Sequence, residues 1–291
     1  MKKILAALLT VATVITCAFA FTACDKKGGD DTIVCYTNAF FAPFEYYGGA
    51  SGTEIVGVDI DIMNKVGEKL GKKVVYENKD FATLIDYVQE GKLCDCAAAG
   101  FTITDSRKEK VNFSVEYYTS VQYVIVKKGT LTTNTTSDGS KQCLFWSQLA
   151  GKKIGVQLDT TGNIYVAGEI SGWDAENPTA EDGQLVGTGA KCVTLDDAQL
   201  AFENLKKGQI DCVVVDELPA KYLIKNSSDY EAYPLYYDAD TATEEKYGIA
   251  VNKNNAQLLE AINSVLNELL STVNEAGENG IEQLVKKHFG I

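Results

Sequence analysis

The chain has 291 residues, enough for about two domains, and its 45% hydrophobic and 23% charged residues exclude wholesale disorder. It carries 27 Lys and Arg against 40 Asp and Glu, a formal net charge of −13, which argues against electrostatic binding of nucleic acid. One histidine, His288, argues against histidine triads and multi-histidine metal sites, and eight cysteines exceed what an exported protein of this size usually carries.

Lys2 and Lys3 precede an apolar run, Ile4 to Phe21, and small residues follow before Cys24. Basic, apolar and small-residue regions in that order describe an export signal over residues 1–23. The run is about long enough to span a bilayer, but no basic stop-transfer cluster follows it. Small residues directly before a cysteine resemble the bacterial lipoprotein signal, which implies that Cys24 is lipidated; Cys17, after Ile15-Thr16, fits less well. Multiple acyl chains anchor stably where one does not. Residues 24–31 are polar and Gly-containing, a flexible tether reaching about 26 Å when extended. Loss of residues 1–23 removes two lysines and no acids, taking −13 to −15.

Thr32–Tyr36 reads as a short buried strand. Asp59–Leu70 is a helix with Ile62, Val66 and Leu70 on one face, stopped by Gly71. A strand over Lys73–Tyr76, a helix over Ala82–Glu90 stopped by Gly91, and a small-residue strand over Cys94–Ala99 follow. Ser120–Lys128 alternates, with Val121, Tyr123 and Ile125, as a crossing strand. Lys153–Gln157 is a strand, Asp196–Lys207 a helix stopped by Gly208, and Ile210–Val215 a strand. Tyr247–Val251 reads as a return strand, and Asn255–Leu270 and Ile281–His288 as amphipathic helices. Strands alternating with helices argue for α/β lobes with mostly parallel sheets. Helix, Gly and strand recur at Leu84–Ala99 and Leu200–Val215, which predicts two related lobes. Gly129–Lys141 and Ser171–Lys191 read as surface insertions; Asp174, Glu176, Glu181 and Asp182 in the second suit a solvated acidic loop better than a divalent-ion site.

The informative stretch is Ala97 to Lys108. A strand ends at Gly100, where backbone lies open to a ligand. Thr102 offers a hydroxyl, and Thr104 caps a helix whose first turn holds Arg107. A guanidinium beside free N–H groups suits a carboxylate, although a surface charge near Lys108 and Lys110 is the plainer reading of Arg107. Asp216 ends an apolar strand and equally suits a cap for the Glu217-Leu-Pro-Ala helix. Phe41 and Phe81 suit either a pocket wall or the core. Gly187-Thr-Gly-Ala-Lys-Cys192 lacks the third glycine of a nucleotide site.

Thr37 to Glu45, Gly57 to Ile62, Ala99 to Arg107, Val111 to Ser114 with Tyr117-Tyr118, Gly155 to Gly162, Ile210 to Asp216 and Tyr247 to Ala250 occur in the order found in one family. The chain resembles the solute-binding proteins of polar amino acid ABC transporters, the bacterial extracellular solute-binding proteins of family 3, over nearly all of residues 32–291. The resemblance implies a two-lobed, type II periplasmic-binding-protein-like α/β fold. Lobe 1 is then residues 32–120 with 245–291, lobe 2 residues 121–244, joined by two hinge crossings. It implies that Arg107 clamps a substrate carboxylate with Gly100, Thr102 and the amide of Thr161, and that Asp216 takes the α-ammonium. Asn38, Phe41 and Phe81 surround the side chain, Ala99, Gln157 and Thr160 join the same set, and Phe101 either narrows the pocket or packs. It further implies a free amino acid ligand, ABC permease subunits as partners, a monomer held at the outer face of the cell membrane by its lipid anchor, and neither cofactor nor metal.

Asn38 is a neutral amide, which leans toward a neutral polar ligand such as glutamine or cystine over arginine or lysine, unless Glu45 or the acidic insertion supplies charge. An enzyme on the same fold, a cyclic-acid dehydratase or cell-wall lyase, needs a general acid, for which Glu217 is the candidate. A sensor needs a fused signalling module. His288 shares a helical face with Ile281, Leu284 and Val285 and reads as a packing residue. Cys35, Cys94, Cys96 and Cys212 fall in core strands, where thiols pack as small hydrophobes. A Cys35–Cys96 bridge across neighbouring strands stays open.

Overall fold

The computed structural model describes residue 29, residues 31–173 and residues 183–290. The signal, Cys24 and the four acids between 174 and 182 lie outside the described residues. No helix among the described residues is long and apolar enough to cross a membrane.

Two sheets organise the chain. The first runs Lys73–Asn78, Thr32–Thr37, Cys96–Ala97, Ala250–Val251, Asn112–Phe113, with parallel pairing in its first two joints and antiparallel in its last two. The second runs Lys191–Leu195, Lys153–Gln157, Cys212–Asp216, Tyr118–Lys127, Tyr230–Tyr236, Gln142–Phe145, Asn134–Thr135. Glu244–Tyr247 pairs antiparallel with the start of Tyr118–Lys127, Tyr247 opposite Tyr118. The chain therefore leaves the first sheet along one strand and returns along its hydrogen-bonded neighbour. A small third sheet, Phe40–Phe41, Glu45–Gly48 and Glu54–Val56, lies near the start of the chain.

Local rules account for most helices. Val58–Leu70 buries Ile62, Met63 and Val66 and ends at Gly71 in the left-handed conformation, as Phe81–Glu90 ends at Gly91. Asn255 caps Ala256–Ser271, and Asn279 opens Gly280–Phe289 with a capping box. Two sequence expectations are corrected. The Tyr247–Val251 strand is split: Glu244–Tyr247 belongs to the second sheet and Ala250–Val251 to the first. Gly248 sits at the change, where a Cβ would come within 2.8 Å of Ile103. The Ser171–Lys191 stretch is not wholly a surface insertion, because Leu185 is buried in the second-sheet core and the Gln184 N–H donates to the buried Glu169 carboxylate.

Cys35, Cys96, Cys143, Cys192 and Cys212 are free thiols, all but Cys192 buried. Cys35 and Cys96 are register partners on adjacent strands, and no bridge joins them. Cys94 is buried, but the strand expected over Cys94–Ala99 is laddered only over Cys96–Ala97, so Cys94 precedes it.

A buried acid pair fixes the end of that strand. Asp59 accepts from the Gly100 N–H at 2.9 Å and the Tyr117 O–H at 2.6 Å. Glu45, on the small sheet, is fully buried and no N–H or O–H among the described residues reaches its carboxyl oxygens; its carboxyl meets that of Asp59 instead. Two carboxyl groups hydrogen-bond only when one carries a proton. Burial raises both groups, Asp59 to about 6 and Glu45 well above the usual range, with the Asp59 charge adding to the push on Glu45.

Groups raised on folding stabilise the fold while protonated, and that contribution is lost as pH climbs from about 4 through the folded values. We expect Glu45→Gln, a permanently neutral replacement, to be more stable than the wild type near pH 8 by about 1–3 kcal/mol, the two converging near pH 4. Urea unfolding at the two pH values checks this, and a difference that ignores pH would refute it.

Candidate functional site

The strand Cys96–Ala97 leads to Gly100, whose φ of 55° suits glycine, and a Cβ there would stand 2.7 Å from the Phe41 ring. Thr102 follows, bridged to Tyr247, and Thr104 caps the helix Asp105–Lys110 by accepting from the Arg107 N–H. That turn carries the Arg107 side chain inward, to 9% exposure. Its NH1 donates to the Thr102 carbonyl at 2.8 Å and its NH2 to the Asp159 carbonyl at 2.8 Å. The guanidinium carbon lies 5.5 Å from the ring centroids of both Phe81 and Phe101, which stack on each other at 4.9 Å. Burial pushes the Arg107 pKa down, against the pull of Glu245, Asp216 and Asp159. An arginine so placed keeps its charge, since its ordinary value lies far above neutrality.

The facing wall comes from the second sheet. Gln157 ends the strand Lys153–Gln157 and donates through Nε2 to Asn38 Oδ1 at 2.9 Å, while Asn38 donates to the Lys79 carbonyl at 2.8 Å. Thr160 caps the helix Thr161–Ser171, and the Thr161 hydroxyl donates to Thr102 Oγ1 at 2.7 Å. The first turn of that helix presents N–H groups and the positive end of its dipole to the cavity.

Asp216 ends Cys212–Asp216 and stands at the cap position of Glu217–Ile224, yet its side chain makes no capping bond. It receives the Tyr247 O–H at 2.6 Å instead. Burial raises its pKa, and hydrogen bonds from Tyr247, Glu245 and Gln122 pull it back.

These groups surround one cavity. Asn38, Phe41, Phe81, Ala99, Gly100, Thr102 and Arg107 line one side, and Gln157, Thr160, Thr161 and Asp216 the other. Of the twelve residues singled out in the sequence, Phe101 alone is absent from this lining: it is fully buried beneath Arg107 and Phe81. Arg107 is thus no surface charge, and the Asp216 carboxylate is not used as a cap. The cavity has a fixed cation, a carboxylate, a helix N-terminus and two aromatic faces. That set suits a small zwitterion.

Sequence reasoning missed Glu245, Gln122 and Tyr247 as parts of the site. Glu245 is buried between exposed Glu244 and exposed Lys246. The alternation with buried Tyr247 was the available signal. Gln122 falls on the face opposite the alternating Val121, Tyr123 and Ile125, and it is buried because its strand is central and covered on both faces. Glu45 lies behind Asp59, away from the cavity. Glu217 accepts from Tyr123 and pairs with Lys221, outside the cavity lining. His288 contacts Asp61 at 2.8 Å and the Tyr46 hydroxyl at 3.3 Å, so it makes polar contacts where simple packing was expected. No cluster of three or more metal-binding side chains exists among the described residues.

Comparison with known proteins agrees with this geometry. The family model of bacterial extracellular solute-binding proteins, family 3, matches residues 33–290. The chain is 29% identical to a probable histidine-binding protein of Neisseria gonorrhoeae, over 99% of this chain and 96% of the relative. It is 28% identical to the arginine-binding extracellular protein ArtP of Bacillus subtilis, over 99% of this chain and 98% of the relative. Among solved structures, the amino acid ABC transporter substrate-binding protein AbpA of Streptococcus pneumoniae, bound to L-arginine, superposes with a TM-score of 0.71 at 27% identity, covering 89% of this chain and 95% of that one.

The support beneath the guanidinium is testable apart from any ligand. Phe101→Ala is expected to cost about 3–5 kcal/mol of stability. Gly100→Ala is expected to cost about 1–3 kcal/mol through its positive φ and the Phe41 contact. Urea unfolding measures both, and a loss below 1 kcal/mol, roughly the value for an unstrained surface change, would contradict the packing described.

Proposed function

The chain belongs to the bacterial extracellular solute-binding proteins of family 3, and from that premise we propose how its cavity takes a ligand and which ligand it takes. It is an amino acid-binding protein of the ABC transporter type with the type II periplasmic binding fold. The observation that carries the detailed reading is the buried Arg107 and the buried Asp216 lining a single cavity. Arg107 meets the α-carboxylate with its remaining N–H groups, joined by the N-terminus of Thr161–Ser171. Asp216 meets the α-ammonium, and Phe41 and Phe81 flank the side chain.

The ligand we propose is a neutral polar amino acid, glutamine or cystine before arginine or lysine. Gln157 donates its amide N–H to Asn38 Oδ1, Asn38 donates its own to the Lys79 carbonyl, and Asp216 is the one carboxylate among the cavity-lining residues. Glu45, the other candidate source of charge, lies outside the cavity lining, and burial with the neighbouring Asp59 charge pushes its pKa well up. Relatives named for histidine and arginine make the basic ligand the reading to beat.

Contacts between the walls support capture by closure of two lobes, residues 32–120 with 245–291 and residues 121–244. A micromolar Kd is about −8 kcal/mol, roughly −0.8 per heavy atom for a ligand of ~10 atoms. Such efficiency needs water expelled and nearly every polar group engaged, which closure provides. Delivery to a permease, a lipid anchor on Cys24, and binding without catalysis complete the proposal. Glu217 is turned to Tyr123 and Lys221, which favours binding over a lyase or dehydratase.

Screening the twenty amino acids and cystine by thermal shift and calorimetry, on the chain from Asp25 onward, tests this. One neutral polar amino acid is expected to bind at about micromolar Kd and arginine more weakly; no response from any of them would sink the proposal. Arg107→Ala is expected to weaken binding by about 30-fold or more with the melting temperature within about 4 °C of wild type. Unchanged affinity would mean that the carboxylate subsite is elsewhere.

A further inference from the structure

Behind Thr102 lies a second carboxyl group that the ligand reading does not use. Glu245 is 4% exposed. It accepts hydrogen bonds from the Thr102 hydroxyl and from Gln122 Nε2, and its carboxyl is within hydrogen-bonding reach of Asp216. The Thr161 hydroxyl donates to Thr102 at 2.7 Å and the Tyr247 hydroxyl to Asp216 at 2.6 Å, so one network joins both cavity walls through Glu245.

Charge accounting constrains this network. Arg107 is the one cation lining the cavity, and its described hydrogen bonds go to two carbonyl oxygens. Arg107 with ionised Asp216 is neutral, and a zwitterionic amino acid adds one charge of each sign. An ionised Glu245 would be a surplus buried anion, and such a charge is costly. Two carboxyl groups in hydrogen-bonding contact also need a proton between them.

We propose that Glu245 is a positioning residue held as a neutral carboxylic acid, donating its proton to Asp216 and accepting from Thr102, so that Asp216 keeps its charge for the α-ammonium. The ligand part rests on the binding function proposed above. The proton belongs on Glu245 because Asp216 lines the cavity and takes the Tyr247 hydroxyl, whereas Glu245 does neither. Burial, and next the Asp216 charge, push the Glu245 pKa well up. The other groups facing the pair are Arg107, Tyr247, Tyr165 from the helix Thr161–Ser171, Tyr118 from the crossing strand and Glu45 from the small sheet. Lys246, next in the strand, is turned out and paired with Glu116. Gln122 Oε1 has no donor among the described residues, leaving an acceptor beside the pair. A raised acid is neutral below its folded pKa and ionises as pH climbs through it. Affinity should therefore fall on the alkaline side.

The full chain as wild type, E245Q and E245A tests this with two readouts. In the ligand-free infrared difference spectrum of wild type against E245Q at about neutral pH, a carbonyl band of a protonated carboxylic acid is expected in the wild type and absent from E245Q. In titrations from about pH 6 to about pH 9, E245A is expected to bind about 10-fold or more weakly than wild type. E245Q should recover most of that loss and lack the alkaline fall. No protonated-acid band lost in E245Q, or E245Q binding as poorly as E245A, would overturn the proposal. A wild type that shows the band but binds no amino acid would support the neutral acid and overturn the binding function instead.

Discussion

A guanidinium taken out of water must be met on every side, and Arg107 is met by both halves of the molecule. Its N–H groups reach the Thr102 carbonyl on one wall and the Asp159 carbonyl on the other, and its guanidinium carbon lies 5.5 Å from the ring centroids of Phe81 and Phe101. The requirement explains otherwise unrelated features. The chain must turn at Gly100, beyond the strand Cys96–Ala97, so that Thr102 aims its carbonyl at the arginine. Phe101 must be large and wholly buried, because it is the floor under the charge. The turn before Thr161 must expose the Asp159 carbonyl, and Asp159 has a φ of 60° there.

Buried acids outnumber buried bases around this centre, and the fold handles the excess by proton sharing. Glu45 with Asp59 and Glu245 with Asp216 are each a carboxyl pair in contact, and each pair fixes a piece of backbone or side chain that lines the cavity. Asp59 holds the Gly100 N–H, and Glu245 holds the Thr102 hydroxyl. A neutral acid is a donor and an acceptor at once, which an ionised carboxylate is not.

Much of the frame was legible because short-range rules produced it. Gly71 and Gly91 end their helices, Thr104 caps the arginine helix, and the run from Ala99 to Arg107 carries one wall of the site in consecutive residues. What was hidden depends on distant partners. Glu245 and Lys246 are alike as charged residues in a polar run, and only pairing with the Tyr118–Lys127 strand turns one inward and the other out. The two-residue strands Cys96–Ala97 and Ala250–Val251 are too short for periodicity to register. The small sheet over residues 40–56 leaves no strong alternation, since Phe40, Phe41, Tyr46 and Tyr47 are apolar on both faces. The family resemblance supplied the wall residues; it said nothing of the protons behind them.

The two crossings between the sheets are hydrogen-bonded neighbours, with Tyr118 opposite Tyr247 and Val121 opposite Glu244. A joint made of a ladder resists stretching and sliding and yields most readily to rotation. In a rotation, displacement grows with distance from the axis. Tyr247 and its Asp216 partner lie at the joint, where the lever arm is short, whereas the Gln157–Asn38 and Arg107–Asp159 contacts are made between the walls themselves. Such a lever gives capture an order in time. In the capture proposed above, an entering amino acid would meet the proposed ammonium subsite already assembled near the pivot, and the contacts farther out would be completed only as the two walls come together.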